Sequence, residues 1–598
     1  MSTHRWIDRI CVIVMALSLV VTVLFMNGEK LGMEVVADPD AEGFAGSEYF
    51  TENDLNGSWD SSGAARITLA GDSAEITGNG AYWLNGSLVI ASSGKYVLSG
   101  ELSDGNIVVD AAQNSKVWIL LDGVHITCAD DACIRLDQAD KVFLTLGEGT
   151  ENILESGDAF SETALADGTN AVIFSHDDLT INGSGSLRIV SSYLNGITSK
   201  DDLIITGGTI SVTAPDHGLR VNDHFRMTAA DLSISAEQDG IHSEGKVVIQ
   251  DGTLTITAGD DAVHSDTSAL ILGGTILVND CYEGIEAVTI EISGGDTVIH
   301  ARDDGLNANG YTGVEFGGMP GMMPFGEGSD SDTEAESDDT EEKTVVSAED
   351  TWILISGGSL TILNESGRDA DGIDSNGHII MTGGTVLVSL TGSNGNSALD
   401  IGSECGGTAT ISSGTIIACG DSSMAVGVGA ESTQASIRYS LSETAAAGST
   451  ITLLDSEGNE LVSETIPYSF SSAVISCPEM IVGETCTIRI GETEESIEMT
   501  DIAVSAGTAS NPGMGPGNHM PGGEGMGSGS FGDGETPPAR PDFEEGFQPP
   551  EGGEGFEPPE GGFGPPEEMQ EASATAGAAS DAASASAQTQ ASGEDATP

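Results

Sequence analysis

The chain has few basic residues. Only 19 Lys and Arg stand against 95 Asp and Glu among its 598 residues, which gives a formal net charge of −76. Because contacts to phosphates need Lys and Arg, this balance excludes a nucleic-acid-binding surface. It favours cations as partners, or polymers that are neutral or are bridged to the protein by cations.

Aromatic residues and cysteines are also scarce. Aromatic residues make up 5% of the chain while glycine reaches 81 residues, which is not the composition of an ordinary globular core. Eight cysteines are too few for a disulfide scaffold, and no two have the CxxC spacing of a thiolate metal site. Cys11 lies in the N-terminal apolar run and Cys281 has no near neighbour, and the other six form three pairs that are close enough in sequence for disulfides: Cys128 and Cys133, Cys405 and Cys419, and Cys477 and Cys486.

No segment in the middle of the chain has the periodicity of a helix, and a repeat occupies this region instead. Phrases such as Asp239-Gly-Ile-His242 and Asp261-Ala-Val-His264 recur between Asn195 and Asn309 at intervals of 22 or 21 residues. Short β-branched runs lie between the phrases. A period near 22 with such runs is typical of a solenoid of short strands. The sequence therefore predicts an all-β fold, a single-stranded parallel β-helix with about 22 residues per coil.

Shifts in composition predict the domain boundaries. Arg5 and Arg9 precede an uncharged apolar run at 10–26, so residues 1–37 are interpreted as a signal peptide or an N-terminal membrane anchor. We therefore expect a monomer that is extracellular or at the cell surface and meets a membrane only through this segment. The other predicted parts are a linker at 38–80, the β-helix at 81–430 with a disordered insertion at 311–348, a small β cap at 431–500 and a disordered Gly/Pro/Glu/Ala-rich tail at 501–598.

Three phrases near the start of the strand-rich region carry a resemblance. They are Gly94-Lys-Tyr-Val-Leu-Ser-Gly100, Val117-Trp-Ile-Leu-Leu-Asp-Gly-Val124 and Gly149-Thr-Glu-Asn-Ile-Leu154. These phrases look like the opening coils of a bacterial family of secreted carbohydrate-binding domains, and the resemblance covers roughly residues 82–492. It implies a right-handed, polysaccharide-lyase-like parallel β-helix with bound calcium and a cellulose-like or pectin-like polymer as partner.

Stacking of the coils at ~4.8 Å brings equivalent residues of successive phrases into columns. Alternation along the strand places Ile241 in the core and His242 and Glu244 outside. The residue before the core position is always Gly or Ala, so either the backbone there needs a conformation without Cβ or another group approaches it closely. The outward columns supply the predicted carbohydrate-binding residues, which are His242, Glu244, His264, Asp266, Glu286, Asn307, Asn309, Asp374 and Asn376.

Another column, at the turn before each strand, contains successive carboxylates. Two charges ~5 Å apart repel by ~1 kcal/mol in water, so the stack is costly unless the side chains splay, take up protons or share cations. Oxygen ligands suit Ca²⁺ rather than zinc. The alternative is that each Asp only accepts hydrogen bonds from the amides of the next residues. The predicted calcium ligands are Asp239, Asp260, Asp261, Glu283, Asp303, Asp304, Asp369 and Asp371.

The neighbouring His242 and His264 could ligate a transition metal. With no thiolate and with exposed acids nearby, they are interpreted as solvated surface histidines.

Three functions remain open. The preferred one is a calcium-dependent, non-catalytic polysaccharide-binding protein for plant-type or uronate-containing polymers. A pectate-lyase-like enzyme is the first alternative, with Lys200 as the base, although the acids around it would raise the pKa of Lys200, the wrong direction for a base. A surface adhesin or spacer without sugar binding is the second alternative.

Overall fold

The computed structural model describes residues 49–310, 350–365, 370–391, 396–403 and 406–508. The predicted signal or anchor segment, the predicted insertion, Asp369, Cys405 and the tail after residue 508 lie outside these ranges. Within them, no helix is long and apolar enough to cross a membrane.

The described residues form an all-β structure with two short helices, α1 (Glu52–Leu55) and α2 (Glu162–Ala166). Most strands belong to one long sheet that is mainly parallel. The strands before residue 310 are β1 (Ala65–Gly71), β2 (Ala74–Thr77), β3 (Ala81–Leu84), β4 (Ser87–Ile90), β5 (Gly94–Leu102), β6 (Asn106–Asp110), β7 (Lys116–Cys128), β8 (Ile134–Gln138), β9 (Lys141–Leu146), β10 (Glu151–Ser156), β11 (Ala171–Ser175), β12 (Asp178–Gly183), β13 (Ser186–Val190), β14 (Asn195–Ser199), β15 (Leu203–Ile205), β16 (Thr209–Ala214), β17 (Leu219–Val221), β18 (Phe225–Met227), β19 (Ala230–Ala236), β20 (Ile241–Ser243), β21 (Val247–Ile249), β22 (Gly252–Thr257), β23 (Val263–Ile271), β24 (Thr275–Cys281), β25 (Ile285–Ile292), β26 (Asp296–Ala301) and β27 (Leu306–Ala308).

The sheet continues after residue 350. Its later strands are β28 (Trp352–Ile355), β29 (Ser359–Asn364), β30 (Ile373–Ser375), β31 (His378–Met381), β32 (Thr385–Leu390), β33 (Ala409–Ile411) and β34 (Thr415–Gly420). The C-terminal strands are β35 (Ser436–Ala445), β36 (Ser449–Leu454), β37 (Glu460–Ile466), β38 (Phe470–Ser476), β39 (Thr485–Ile490), β40 (Thr493–Glu498) and β41 (Ala503–Gly507).

Each strand in the middle of the sheet pairs in parallel with strands one coil away, and these pairings form three ladders. The first ladder runs through β11, β14, β17, β20, β23, β25, β27 and β30. The second runs through β9, β12, β15, β18, β21, β23, β25, β28 and β31, and the third through β10, β13, β16, β19, β22, β24, β26, β29, β32 and β34. Because Ile241 is in register with Leu219 and with Val263, residues 22 apart in sequence lie side by side.

The inward side chains of the first ladder form an apolar column. Each fully buried Ile, Leu or Val side chain contributes about 1.5–3 kcal/mol relative to an exposed one. This column contains the residues predicted to face inward, all with 0% exposure: Ile197, Leu219, Ile241, Val263, Ile285, Leu306 and Ile373.

The glycines that precede this column are explained by close packing. A Cβ added at Gly240 would lie 2.6 Å from the carbonyl oxygen of Ala262 and 2.6 Å from Cγ2 of Ile256. Gly240 is not among the glycines with positive φ. Gly240 therefore has no side chain because the next coil approaches its backbone too closely to leave room for one.

The prediction of a linker at 38–80 is wrong for residues 49–80, which are folded against the sheet. Asp54 of α1 is 0% exposed, and its Oδ1 lies 2.9 Å from Nζ of Lys141 and 2.5 Å from Oγ1 of Thr180. Its carbonyl oxygen accepts hydrogen bonds from Thr206 and Asn182. The strand β1 pairs in parallel with β5. These partners lie far along the chain, so local composition could not indicate them.

The C-terminal part, where the sequence predicts a small β cap, contains antiparallel strands. The strands β37, β36, β39 and β40 form a separate four-stranded sheet, and β38 pairs antiparallel with β34 and β35. Residues Ala503–Gly507 form β41, which pairs in parallel with β35. Folded structure therefore continues into the first residues of the predicted tail.

The described cysteines are free, which contradicts the suggested pairings of Cys128 with Cys133 and of Cys477 with Cys486. Their thiols are buried and pack as small apolar groups. The thiol of Cys133 donates to the carbonyl oxygen of Glu155 at 3.3 Å. Burial raises the pKa of Cys477 to about 11, so it is an unreactive thiol at neutral pH.

Candidate functional site

The outward positions of the first ladder carry the predicted binding residues in one row. His242 is in register with His264, and His264 with Glu286. The row continues from Glu286 to Asn307 and from Asn307 to Asp374. The parallel ladder therefore brings together hydrogen-bonding side chains from five coils.

The other predicted binding residues flank this row. Glu244, just after β20, and Asp266, within β23, are exposed. The side-chain amide of Asn309 donates to the carboxylate of Glu286, and that of Asn376 donates to the carbonyl oxygen of Gly310 at 3.4 Å.

The turn residues before the first-ladder strands tie successive coils together. The side-chain oxygen of Asn195 accepts from the amide of His217 at 3.1 Å, and Oδ1 of Asp239 accepts from the amide of Asp261 at 3.0 Å. Oδ1 of Asp304 accepts from the amide of Asp371 at 2.6 Å. Here the donor lies one coil further on, whereas the sequence interpretation placed it in the next residues. One oxygen of Asp239 and of Asp304 is therefore already used in a hydrogen bond that holds two coils together.

Histidine and carboxylate side chains alternate in one part of this face, the histidine segment, which consists of His217, Asp239, His242, Asp261, His264, Asp266 and Glu286. Oδ2 of Asp239 lies 3.3 Å from Nδ1 of His217 and 2.8 Å from Nδ1 of His242. Burial alone would raise the pKa of Asp239, but the hydrogen bonds from the two histidines outweigh it and lower this pKa. Asp239 is therefore ionised between them.

His264 is enclosed by three carboxylates. Its Nδ1 lies 3.0 Å from Oδ2 of Asp261 and 2.7 Å from Oε2 of Glu286, and its Nε2 lies 3.1 Å from Oδ1 of Asp266. Burial opposes its charge, yet these contacts raise the pKa of His264. The side chains of His242 and His264 are only 19% and 22% exposed. Their interpretation as solvated surface histidines is therefore wrong.

Carboxylates without histidines occupy the next part of the face, the oxygen segment, which consists of Glu283, Asp303, Asp304, Asn307, Asp371 and Asp374. Nδ2 of Asn307 donates to Oε2 of Glu283 at 2.8 Å. Burial and then the charge of Glu286 raise the pKa of Glu283 to about 8. Burial and then the charges of Asp374 and Asp371 raise the pKa of Asp304. These groups raise one another's pKa, so the segment favours bound protons or cations.

Several trios of side chains in the described ranges bring ligand atoms within 4.8 Å of one another. Three trios contain histidine and two contain carboxylates alone. The predicted calcium ligands Asp239, Asp260 and Asp261 form one of the carboxylate trios, whereas Glu283, Asp303, Asp304 and Asp371 belong to none. The trios are His217, Asp239 and His242; His242, His264 and Asp266; Asp261, His264 and Glu286; Asp201, Asp202 and Asp223; and Asp239, Asp260 and Asp261.

A polar cavity of about 420 Å³ lies beside α1, and sequence reasoning missed it. The guanidinium of Arg226 lies 2.7 Å from Oδ2 of Asp202 in its wall, and Lys141 is paired with Asp54. Burial raises the pKa of Asp178, which also lines it, to about 7. These contacts identify the cavity as the junction between the N-terminal segment and the second ladder.

The proposed base Lys200 is exposed and follows β14. It lies two coils before Glu244, which at the strand spacing is ~10 Å along the face. No described contact marks Lys200 as a base.

Part of the chain is similar to known proteins. Residues 84–324 match the family model described as "Carbohydrate-binding domain-containing protein". A carbohydrate-binding domain-containing protein of Acetivibrio thermocellus is 39% identical over 126 residues, which are 21% of this chain and 44% of that protein. The chain thus spans less than half the length of this curated relative.

A solved structure is also similar in sequence. It is described as the polysaccharide lyase-like protein from C. thermocellum, gadolinium derivative. It is 34% identical, with 36% of this chain and 91% of that chain covered and a TM-score of 0.35. The family model, which matches residues 84–324, confirms the resemblance of the chain to a carbohydrate-binding domain family.

Proposed function

We propose that the three ladders wind as a right-handed parallel β-helix that binds polysaccharide on the outward face of the first ladder without catalysis. The observation that carries this proposal is the in-register row from His242 to Asp374. Strands ~4.8 Å apart present one hydrogen-bonding side chain per coil, which suits the repeated hydroxyls of a polymer. The match to a carbohydrate-binding domain family supports the same partner.

Calcium would bind at the oxygen segment and link it to an acidic polymer. Carboxylates and amide oxygens are the ligands that Ca²⁺ prefers. The raised pKa values of Glu283 and Asp304 support a cation there, because a divalent ion would relieve the repulsion that now favours protons. By contrast, the carboxylates of Asp239 and Asp261 already contact histidines. Without a bridging cation, a uronate polymer would be repelled by a chain of net charge −76.

Tyr282 supplies an aromatic surface at the edge of the oxygen segment. Its side chain is 38% exposed, and its hydrogen bond to Asp303, followed by burial, raises the pKa of its hydroxyl. The ring is thereby held beside the carboxylates, where it can stack on a sugar ring.

The test is a pull-down of the full chain on polygalacturonate and on cellulose, in millimolar Ca²⁺ or in EDTA. We expect calcium-dependent retention on polygalacturonate, because the cation bridges two acidic surfaces. The substitution Tyr282→Ala should weaken retention, whereas Tyr82→Ala, at a tyrosine that is 47% exposed on β3, should not.

The calcium ligands are tested with Asp304→Asn and with Asp231→Asn as the charge-matched control on the third ladder. Only Asp304→Asn should reduce the rise in melting temperature that Ca²⁺ produces. Equal retention in Ca²⁺ and EDTA would contradict calcium bridging. Release of unsaturated sugars from polygalacturonate would show that the chain is a lyase and would contradict the proposal of non-catalytic binding.

We place this function outside the cell, secreted or held by the N-terminal segment, because the apolar run at 10–26 follows Arg5 and Arg9. Fractionation of cells expressing the full chain checks this location.

A further inference from the structure

The histidine segment contains an arrangement that polysaccharide binding does not require. His242 and His264 are register partners on β20 and β23, with ring centroids 4.7 Å apart and ring planes 3° from parallel. Nδ1 of His242 faces Asp239 at 2.8 Å, and Nδ1 of His264 faces Asp261 at 3.0 Å. Both rings therefore point Nε2 away from these carboxylates.

The carboxylate behind each ring determines what Nε2 can do. A carboxylate at Nδ1 holds a proton on that nitrogen and makes the opposite nitrogen a better metal ligand. Metal-binding histidines commonly have such a carboxylate partner. Two residues further along β23, Oδ1 of Asp266 lies 3.1 Å from Nε2 of His264. Ligand atoms of His242, His264 and Asp266 all lie within 4.8 Å of one another.

We propose that His242, His264 and Asp266 form a site for one divalent transition-metal ion such as Zn²⁺. The ligands are Nε2 of the two histidines and a carboxylate oxygen of Asp266. Two imidazole nitrogens and one oxygen suit zinc, copper or nickel, whereas Ca²⁺ prefers oxygen ligands alone. Three protein ligands leave a further position for water or a bound molecule, as in open zinc sites.

The site is accessible and its surroundings favour a cation. The side chain of Asp266 is 50% exposed, so an ion can enter from solvent. Asp239 and Glu286 lie behind the rings and contribute negative charge. The ion would take the place of the proton that Nε2 of His264 shares with Asp266.

The neighbouring coils limit the site to one ion. Arg220 precedes His242 in the row and Glu286 follows His264, so only two adjacent coils supply histidine at this position. His217 lies in the turn column rather than in the row, and its Nδ1 is turned to Asp239, 3.3 Å from Oδ2.

The test is a calorimetric titration of the metal-stripped full chain with Zn²⁺. We expect one ion per chain, an affinity at least 100-fold lower for the double variant His242→Gln/His264→Gln, and about 10-fold lower for Asp266→Asn. His300→Gln is the matched control, because His300 is half-buried on β26 and belongs to none of the metal-capable trios. Unchanged zinc affinity in the double variant would overturn the proposal.

A second measurement uses the unsubstituted chain and does not depend on variants that fold. Electron paramagnetic resonance of the chain with one equivalent of Cu²⁺ should show coupling to two imidazole nitrogens. A spectrum with oxygen ligands alone, or stoichiometric displacement of Zn²⁺ by Ca²⁺, would show that the histidines are not the ligands. Neither result depends on sugar binding, so this site and the polysaccharide face can fail separately.

Discussion

The histidine segment and the oxygen segment occupy the same face and the same turn positions, but they compensate stacked carboxylates in different ways. In the histidine segment, hydrogen bonds from His217 and His242 lower the pKa of Asp239, and the hydrogen bond from His264 lowers that of Glu286, although burial raises the pKa of Asp261. In the oxygen segment, the carboxylates raise the pKa values of Glu283 and Asp304. The repeat therefore determines where the carboxylates lie, and one residue per coil determines whether a histidine lies beside them.

The comparison assumes that the two segments share one kind of core. Ile241 and Ile373 are both 0% exposed under the first ladder, one in each segment. Replacement of either by Ala removes buried methyl groups and leaves a cavity, so each should lower the free energy of unfolding by about 2–5 kcal/mol. Urea denaturation measures both losses. A loss in only one variant would show that the cores differ, and the outward residues would no longer explain the contrast.

Neutralising one carboxylate in each segment should give effects of opposite sign. In EDTA at pH 7.5, Asp239→Asn should cost roughly 1.5–3 kcal/mol, because it breaks charge-assisted hydrogen bonds to two histidines. Asp304→Asn should stabilise the chain by up to about 1 kcal/mol, because it removes a repelled charge and keeps the acceptor for the amide of Asp371. Denaturation midpoints check both values. If both variants were destabilised by the same amount, the two segments would not differ in how they compensate their carboxylates.

The pH dependence should come from the oxygen segment. The folded pKa of Glu283 is about 8, above its ordinary value, so between the two values the folded state holds a proton that the unfolded state has released. In EDTA, stability should therefore fall as pH rises from about 5 to 8. Glu283→Gln should flatten this decline in melting temperature, and His300→Gln should leave it unchanged. If the melting temperature of Glu283→Gln still fell with rising pH, groups other than Glu283 would be its cause.

Much of the face could be predicted because a parallel ladder converts sequence spacing into distance. The 22-residue period placed His242 beside His264 and put Ile241 in the core, as the register shows. The pairing of Asp with His three residues later occurs twice, at Asp239 and at Asp261, and this spacing could have indicated the buried contacts. The small residue before the core position is also visible in the sequence, and its cause is the close approach of the next coil.

The N-terminal segment could not be predicted in the same way. Asp54 contacts Thr180 across 126 positions of sequence, outside the repeat, and a single buried aspartate has no periodic pattern. The state of the cysteines was also beyond reach, because closeness in sequence does not determine whether two thiols bond.

The attachment of α1 determines how the molecule would carry a mechanical load. Asp54 contacts Lys141, Thr180 and Thr206, which come from three successive levels of the second ladder. A pull on the chain at Tyr49 would therefore be shared by several levels, loading their contacts together in shear. A chain attached only at its first strand would instead be peeled one strand at a time, at lower force.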